Sequence, residues 1–325
     1  MTMILTDQDR SYEVIQGWAR LPQGWRLFDV AAVGVDRHDH VYVFNRGPHP
    51  MMVFDSEGNF LRSWGEDVFT RPHGVHIGPD DAIYCTDDGD HTVRKCTATG
   101  EVLAQIGVPG RAASFMSGKP FHRCTHTALA PNGDIYVSDG YGNACVHRFS
   151  PEGRLLHTWG ESGCGPGQFY IPHNICCDAQ GWVYVADREN HRIQVFDGAG
   201  KFHDQWHNLH RPCALCAGGA SWYIGEAGPA LPPTLQFPNL GPRISILNSR
   251  GELEARLGHL PAGTRPGQFV APHGIAVDSK GAIYVGEVSY TAWPAVFPHE
   301  AQPEALPTLH KLIPVASSPA NARSV

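Results

Sequence analysis

Hydrophobic and polar positions alternate along the chain in short runs, and the runs repeat. HVYVFNRG at 40–47, AIYCTDDG at 82–89, DIYVSDGY at 134–141, WVYVADRE at 182–189, SWYIGEAG at 221–228 and AIYVGEVS at 282–289 share one pattern rich in Val, Ile and Tyr. Period-two alternation with these residue types predicts β-strands. Each run is followed by a third strand and a turn: MMVFDSEGNFLRSWG, TVRKCTATGEVL, CVHRFSPEGRLLHTWG, RIQVFDGAGKFHDQW and RISILNSRGELEARLG, with a shortened LHKLIPV in the last copy. The SEG, ATG, PEG, GAG and SRG tripeptides are hairpin turns in which Gly supplies the positive φ. Another short strand precedes each run. Six such copies specify an all-β fold, a six-bladed β-propeller. Two separate sandwiches would not carry one signature from end to end.

The last copy stops after LHKLIPV, so residues 12–20 (YEVIQGWAR) are expected to supply the outer strand of the last blade and remove an open edge. A single domain then spans 12–314, between an N-terminal extension at 1–11 and a flexible tail at 315–325. Two Pro-rich insertions, at about 226–241 and 288–307, leave the end of the second strand and should form a rim or lid on one face. Trp222, Tyr223, Tyr290, Trp293 and Phe297 in and beside them would suit an aromatic or apolar substrate.

Composition narrows the partners. The chain has 325 residues, 42% hydrophobic and 18% charged, with a formal charge of −7, which rules out wholesale disorder and argues against nucleic acid or an anionic membrane as a main partner. No apolar run is long enough to span a bilayer. The nine cysteines are odd in number and irregularly spaced, unlike a disulfide framework, so a reduced, cytoplasmic protein is expected. Cys213-Ala-Leu-Cys216 is formally C-x-x-C, but in an extended segment its thiols point to opposite faces, which disfavours a redox role.

Candidate chemistry comes from aligning the innermost strands through the residue five positions before each turn. The equivalents are Ala31, His73, His126, His173, Cys213 and His273. By propeller symmetry they share one height around the axis. His73, His173 and His273 fall on alternate blades, so three imidazoles can converge on one axial point, and three neutral imidazoles with an open position make a catalytic zinc shell. Any one of them alone reads as a histidine bonding a neighbouring carbonyl; three at one phase favour a metal. His126 and Cys213 sit between them as channel lining. Asp87, Asp139 and Asp187 recur at the end of the second strand, which favours a turn-stabilising role.

PHG at 72–74, FNRGPH at 44–49, SDGYGN at 138–143, PGQFYIPH at 166–173 and ADREN at 186–190 resemble the NHL-repeat propellers, and more closely the catalytic core of peptidyl-α-hydroxyglycine α-amidating lyase. The resemblance spans about residues 28–290. It implies one zinc ion (Zn2+) per chain on His73, His173 and His273, a catalytic tyrosine at Tyr141 and active-site arginines at Arg46 and Arg188. It implies cleavage of a carbinolamide into an amide and an aldehyde such as glyoxylate, with the tyrosine as base, on a small-molecule substrate bearing a carboxylate. Zinc lowers the pKa of a bound hydroxyl, and a guanidinium beside a phenol favours the phenolate. The family's structural calcium (Ca2+) uses an aspartate after the third zinc histidine, where this chain has Gly274, so that ion is not expected here. The family's disulfide positions are largely replaced: Cys124 faces Gly142, and the second pair falls on Tyr184 and Val195. A metal-dependent hydrolase in the same channel and a non-enzymatic NHL interaction scaffold are the alternatives; a scaffold has no need of three axial histidines.

Overall fold

A computed structural model describes residues 2–315, so the tail expected at 315–325 lies outside the described residues beyond Val315. Six antiparallel sheets stand in a ring as the blades of a β-propeller. Their innermost strands, in blade order, are Val30–Val35, Pro72–Ile77, His126–Leu129, Pro172–Cys177, Pro212–Gly218 and Pro272–Val277. The core is divided into layers between blades. Tyr42, Phe44 and Val53 of the first blade pack on Val75 and Cys85 of the second, and Tyr136, Val146 and Trp159 of the third pack on Ile175, Val185 and Phe196 of the fourth. Each large side chain sealed in this way stabilises the ring by roughly 1.5–3 kcal/mol.

The two ends of the chain close the ring. In the sixth blade, Arg10–Ile15 pairs with Leu309–Pro314, with Glu13 opposite Ile313. Part of the stretch expected as a bare extension is sheet as well. Met3–Asp7 folds back on Arg10–Ile15 as a fifth strand, with Leu5 packed against Leu257 and Phe269 and the Asp7 carboxylate accepting the Arg256 N–H at 2.7 Å.

The ladder between first and second strands skips one residue in five blades. The skipped residues are Ala31, His73, His173, Cys213 and His273, each inside a register jump such as that between Pro72 and Gly74. A bulge bends the strand and re-aims the extra residue's side chain, here towards the axis. In the third blade the corresponding residue is Thr125, not His126. Its turn begins at Ala130, whose N–H bonds the Asp134 carbonyl as Gly78 N–H bonds that of Ala82, and the fifth residue before Ala130 is Thr125. His126 instead pairs with Ser138 inside the ladder and lines the channel beyond the histidine ring, where a cavity of about 280 Å³ also meets His76 and Asn174.

A buried carboxylate ends the second strand in five blades and anchors the loop that enters the first. Asp87 accepts the N–H groups of Thr70 and Arg71, Asp139 that of His122, and Asp187 that of Tyr170. Glu226 does the same for His210 and Glu287 for Val270, while Asn45 takes the place in the first blade through Phe28 N. These acceptors fix the approach to each axial residue.

Candidate metal centre

His73, His173 and His273 meet on the axis with their ligand atoms within 4.8 Å of one another and ring centroids 4.6–4.9 Å apart. All three are buried, at 2%, 1% and 6% exposure. Each Nδ1 faces the carbonyl oxygen of the axial residue on the next blade: Thr125 at 2.6 Å, Cys213 at 2.7 Å and Ala31 at 2.7 Å respectively. A carbonyl only accepts, so each Nδ1 carries the proton and each Nε2 keeps a lone pair turned to the axis. Burial, reinforced by neighbouring imidazoles and by Arg46 and Arg188, holds all three pKa values well below that of an ordinary histidine. Neutral rings locked in one tautomer by carbonyls are the form in which histidine binds a metal, so the donor set fits a divalent ion with a preference for imidazole.

Tyr141 joins this ring. Its hydroxyl lies 3.0 Å from His73 Nε2 and 3.0 Å from His173 Nε2. The glycines on either side are required by space, because a Cβ at Gly140 would collide with the Pro172 carbonyl and one at Gly142 with the His122 ring. The guanidinium carbons of Arg123 and Arg188 stand 4.6 and 5.7 Å from the tyrosine ring centre.

Arg46 donates from Nε to the Pro72 carbonyl at 2.9 Å, its Nη1 is 3.7 Å from Asp29, and its Nη2 is buried with no hydrogen-bond partner. Burial, then repulsion from Arg71, lowers its pKa. Arg188 donates to Glu189 at 2.7 Å. Burial opposes its charge, but Tyr141, Cys213 and Glu189 outweigh burial and hold its pKa above the ordinary value. The structure therefore brings together all six residues singled out in the sequence.

Three further arginines escaped the sequence reading. Arg71 and Arg123 share the fully buried Asp88, each at 2.6 Å, and Arg211 meets Glu189 at 3.0 Å beside Arg188. Two carboxylate-bridged arginine pairs thus flank the mouth, and with Arg46 they outnumber the acids Asp29, Asp88 and Glu189. A signal was present: Arg71, Arg123 and Arg211 each stand two residues before the axial residue of their strand.

Other candidates resolve differently. Asp139, Cys145 and His147 cluster in the third blade, but the Asp139 carboxylate already accepts from His122, Asn143 and His147. Gln194 and His310 occupy the corresponding place against Asp187 and Glu287, so the trio is a blade-stabilising network. Burial drives the Cys145 thiol far up, which keeps it protonated. At Gly274 a Cβ would sit 2.6 Å from Ala32 Cα, leaving no room for a carboxylate. Trp222 and Tyr223, expected near a substrate, are core residues on a central strand, and Trp293 packs with Ala31 and Val270. All nine cysteines are free, and no helix among the described residues is long and apolar enough to cross a membrane.

The family model for the NHL repeat matches residues 169–196. NHL repeat-containing protein 3 of Homo sapiens is 32% identical over 296 residues, covering 85% of this chain and 81% of that protein. Peptidyl-alpha-hydroxyglycine alpha-amidating lyase 1 of Drosophila melanogaster is 34% identical over 161 residues, 46% of this chain and 30% of that protein. Among solved structures, a streptogramin B lyase superimposes with a TM-score of 0.58 at 14% identity, over 90% of this chain and 96% of that one, a likeness of fold alone.

Proposed function

Since the chain belongs to the NHL-repeat propeller family and its relatives include amidating lyases, we propose that its axial centre is that of a zinc-dependent lyase acting on a carbinolamide. The observation that carries this is the ring of three Nε2 atoms, each tautomer set by a carbonyl, with the Tyr141 hydroxyl 3.0 Å from two of them. His73, His173 and His273 would hold zinc through Nε2. Bound there, zinc supplies Lewis acidity that makes a substrate hydroxyl more acidic.

The protein's own groups account for the rest. The Tyr141 oxygen is placed to take the hydroxyl proton, and the guanidinium groups of Arg123 and Arg188 stand beside its ring. In R-CO-NH-CH(OH)-R′ the electrons of the O–H bond form the new C=O as the C–N bond breaks. The amide nitrogen gains a proton, giving R-CO-NH2 and O=CH-R′ with no net uptake of water. Arg46 suits a carboxylate on R′, because its buried Nη2 has no hydrogen-bond partner in the protein. Nine free thiols, five of them buried, support a reducing, cytoplasmic setting for this chemistry.

The test is metal analysis of the untagged protein with N-acyl-α-hydroxyglycines as substrates. About one zinc per chain, lost in His173→Ala, and release of amide plus glyoxylate are expected. A hydrolase would instead yield the carboxylic acid with uptake of water. A wild-type protein that neither contains nor accepts zinc would overturn the proposal.

A further inference from the structure

Between the two Pro-rich insertions lies a cavity of about 360 Å³ whose only polar side chains are Gln236 and Asn239. Its walls include Leu235 and Phe237 from the first insertion, Leu260, Val270, and Val296 at the end of the short helix Ser289–Val296. Its walls are tied to residues that support the metal centre on two sides. Val270 packs with Ala31, whose carbonyl holds His273, and Val270 itself is three residues before that histidine. On the other side, Ala227 N–H bonds the Arg211 carbonyl and Arg211 Nη1 bonds the Gly228 carbonyl, so the root of the insertion is tied to the Arg211–Glu189–Arg188 group.

The insertion leaves apolar surface without a partner in the chain. Leu231 is 66% exposed and Phe237, which lines the cavity, 56%. Apolar walls hydrogen-bonded to Arg211, which shares its single carboxylate partner Glu189 with Arg188, match a molecule with an anionic end and an apolar end. We propose that this cavity receives the apolar acyl group of the substrate while the arginines hold its carboxylate, so that the preferred substrates are N-acyl compounds with aromatic or medium-length aliphatic acyl groups. This rests on the lyase reading. The volume lies at the small end of the range for ligand pockets and suits a benzoyl or hexanoyl group.

The experiment compares N-acetyl-, N-hexanoyl- and N-benzoyl-α-hydroxyglycine as substrates of the zinc-loaded protein, with calorimetric binding of the inert N-acetylglycine and N-benzoylglycine in parallel. Burial of the larger group should raise kcat/KM for benzoyl over acetyl roughly 30-fold. Ala262→Trp, which fills the cavity, should cut that ratio to about threefold or less. Phe237→Ala should reduce it partially and serves if the first variant does not fold. An equal preference in wild type and both variants, or none in wild type, overturns the proposal. If no substrate turns over, the lyase reading fails by itself. The cavity assignment then stands if N-benzoylglycine binds at least tenfold more tightly than N-acetylglycine and loses that advantage in Ala262→Trp, and falls if it does not.

Discussion

Replacing Asp187 by alanine removes the carboxylate that ties the approach to His173 to its blade. Asp187 is fully buried and accepts hydrogen bonds from Tyr170 N at 2.7 Å, Asn190 Nδ2 and Arg192 Nε at 2.8 Å, and Gln194 Nε2 at 3.0 Å. Arg192, itself only 5% exposed, would keep its charge with neutral oxygens from Cys164, Gly165, Gln168 and Gln205 around it. Burial pushes the Asp187 pKa up despite these bonds, so the pair already bears a desolvation cost. Removing one partner of such a pair costs about 3–5 kcal/mol, chiefly because the other charge is left uncompensated. For a domain of this size that corresponds to a drop in Tm on the order of 10 °C. Asp187→Ala/Arg192→Leu should therefore recover more than half of the loss, since it removes the orphaned charge as well. Unfolding is best followed in a His173→Ala background under chelation, where loss of metal cannot contribute. A single-variant loss below about 1 kcal/mol, or additive losses in the double variant, would refute the reasoning.

Two further outcomes follow from groups near the axis. Burial lowers the pKa of His76 to about 4 and of His126 to about 3, so both stay neutral in the folded state while the unfolded chain takes up protons below about 6.5. Stability should therefore fall as pH drops from 6.5 towards 4, by roughly 3 kcal/mol for His76, and the urea midpoint of His76→Met should fall less steeply over that window than that of wild type; parallel slopes would contradict this. Gly274→Asp supplies the carboxylate that the lyase resemblance implies for a calcium site but sets a Cβ 2.6 Å from Ala32 Cα and 2.9 Å from Val33 N, so it should lower stability by about 2 kcal/mol or more without any calcium-dependent rise in Tm. A calcium-dependent rise would show that the inner strands can separate.

What the sequence disclosed and what it hid divide along a physical line. The blades were legible because alternation and turn glycines recur with one signature, and the axial histidines because their side chains are themselves the chemistry. The carbonyls of Thr125, Cys213 and Ala31 that set the tautomers were not legible, since every residue type offers one and nothing in composition marks its direction. His126 fits the ring only if the third blade's turn starts at Pro131, whereas it starts at Ala130, and a one-residue slip in a strand exchanges the two faces. Met3–Asp7 was missed because a single short strand has no pattern beyond its own few residues. The arginine pairs were hidden differently. Arg71, Arg123 and Arg211 look like ordinary charged loop residues until the bulge fixes the axial position, after which their common offset becomes a rule of the repeat. Because the offset places a guanidinium at the cup in blades that bear no axial histidine as well as in one that does, the positive mouth is built by the repeat and not by the metal ligands. It should therefore survive loss of the metal, and an anionic product should still bind to His173→Ala.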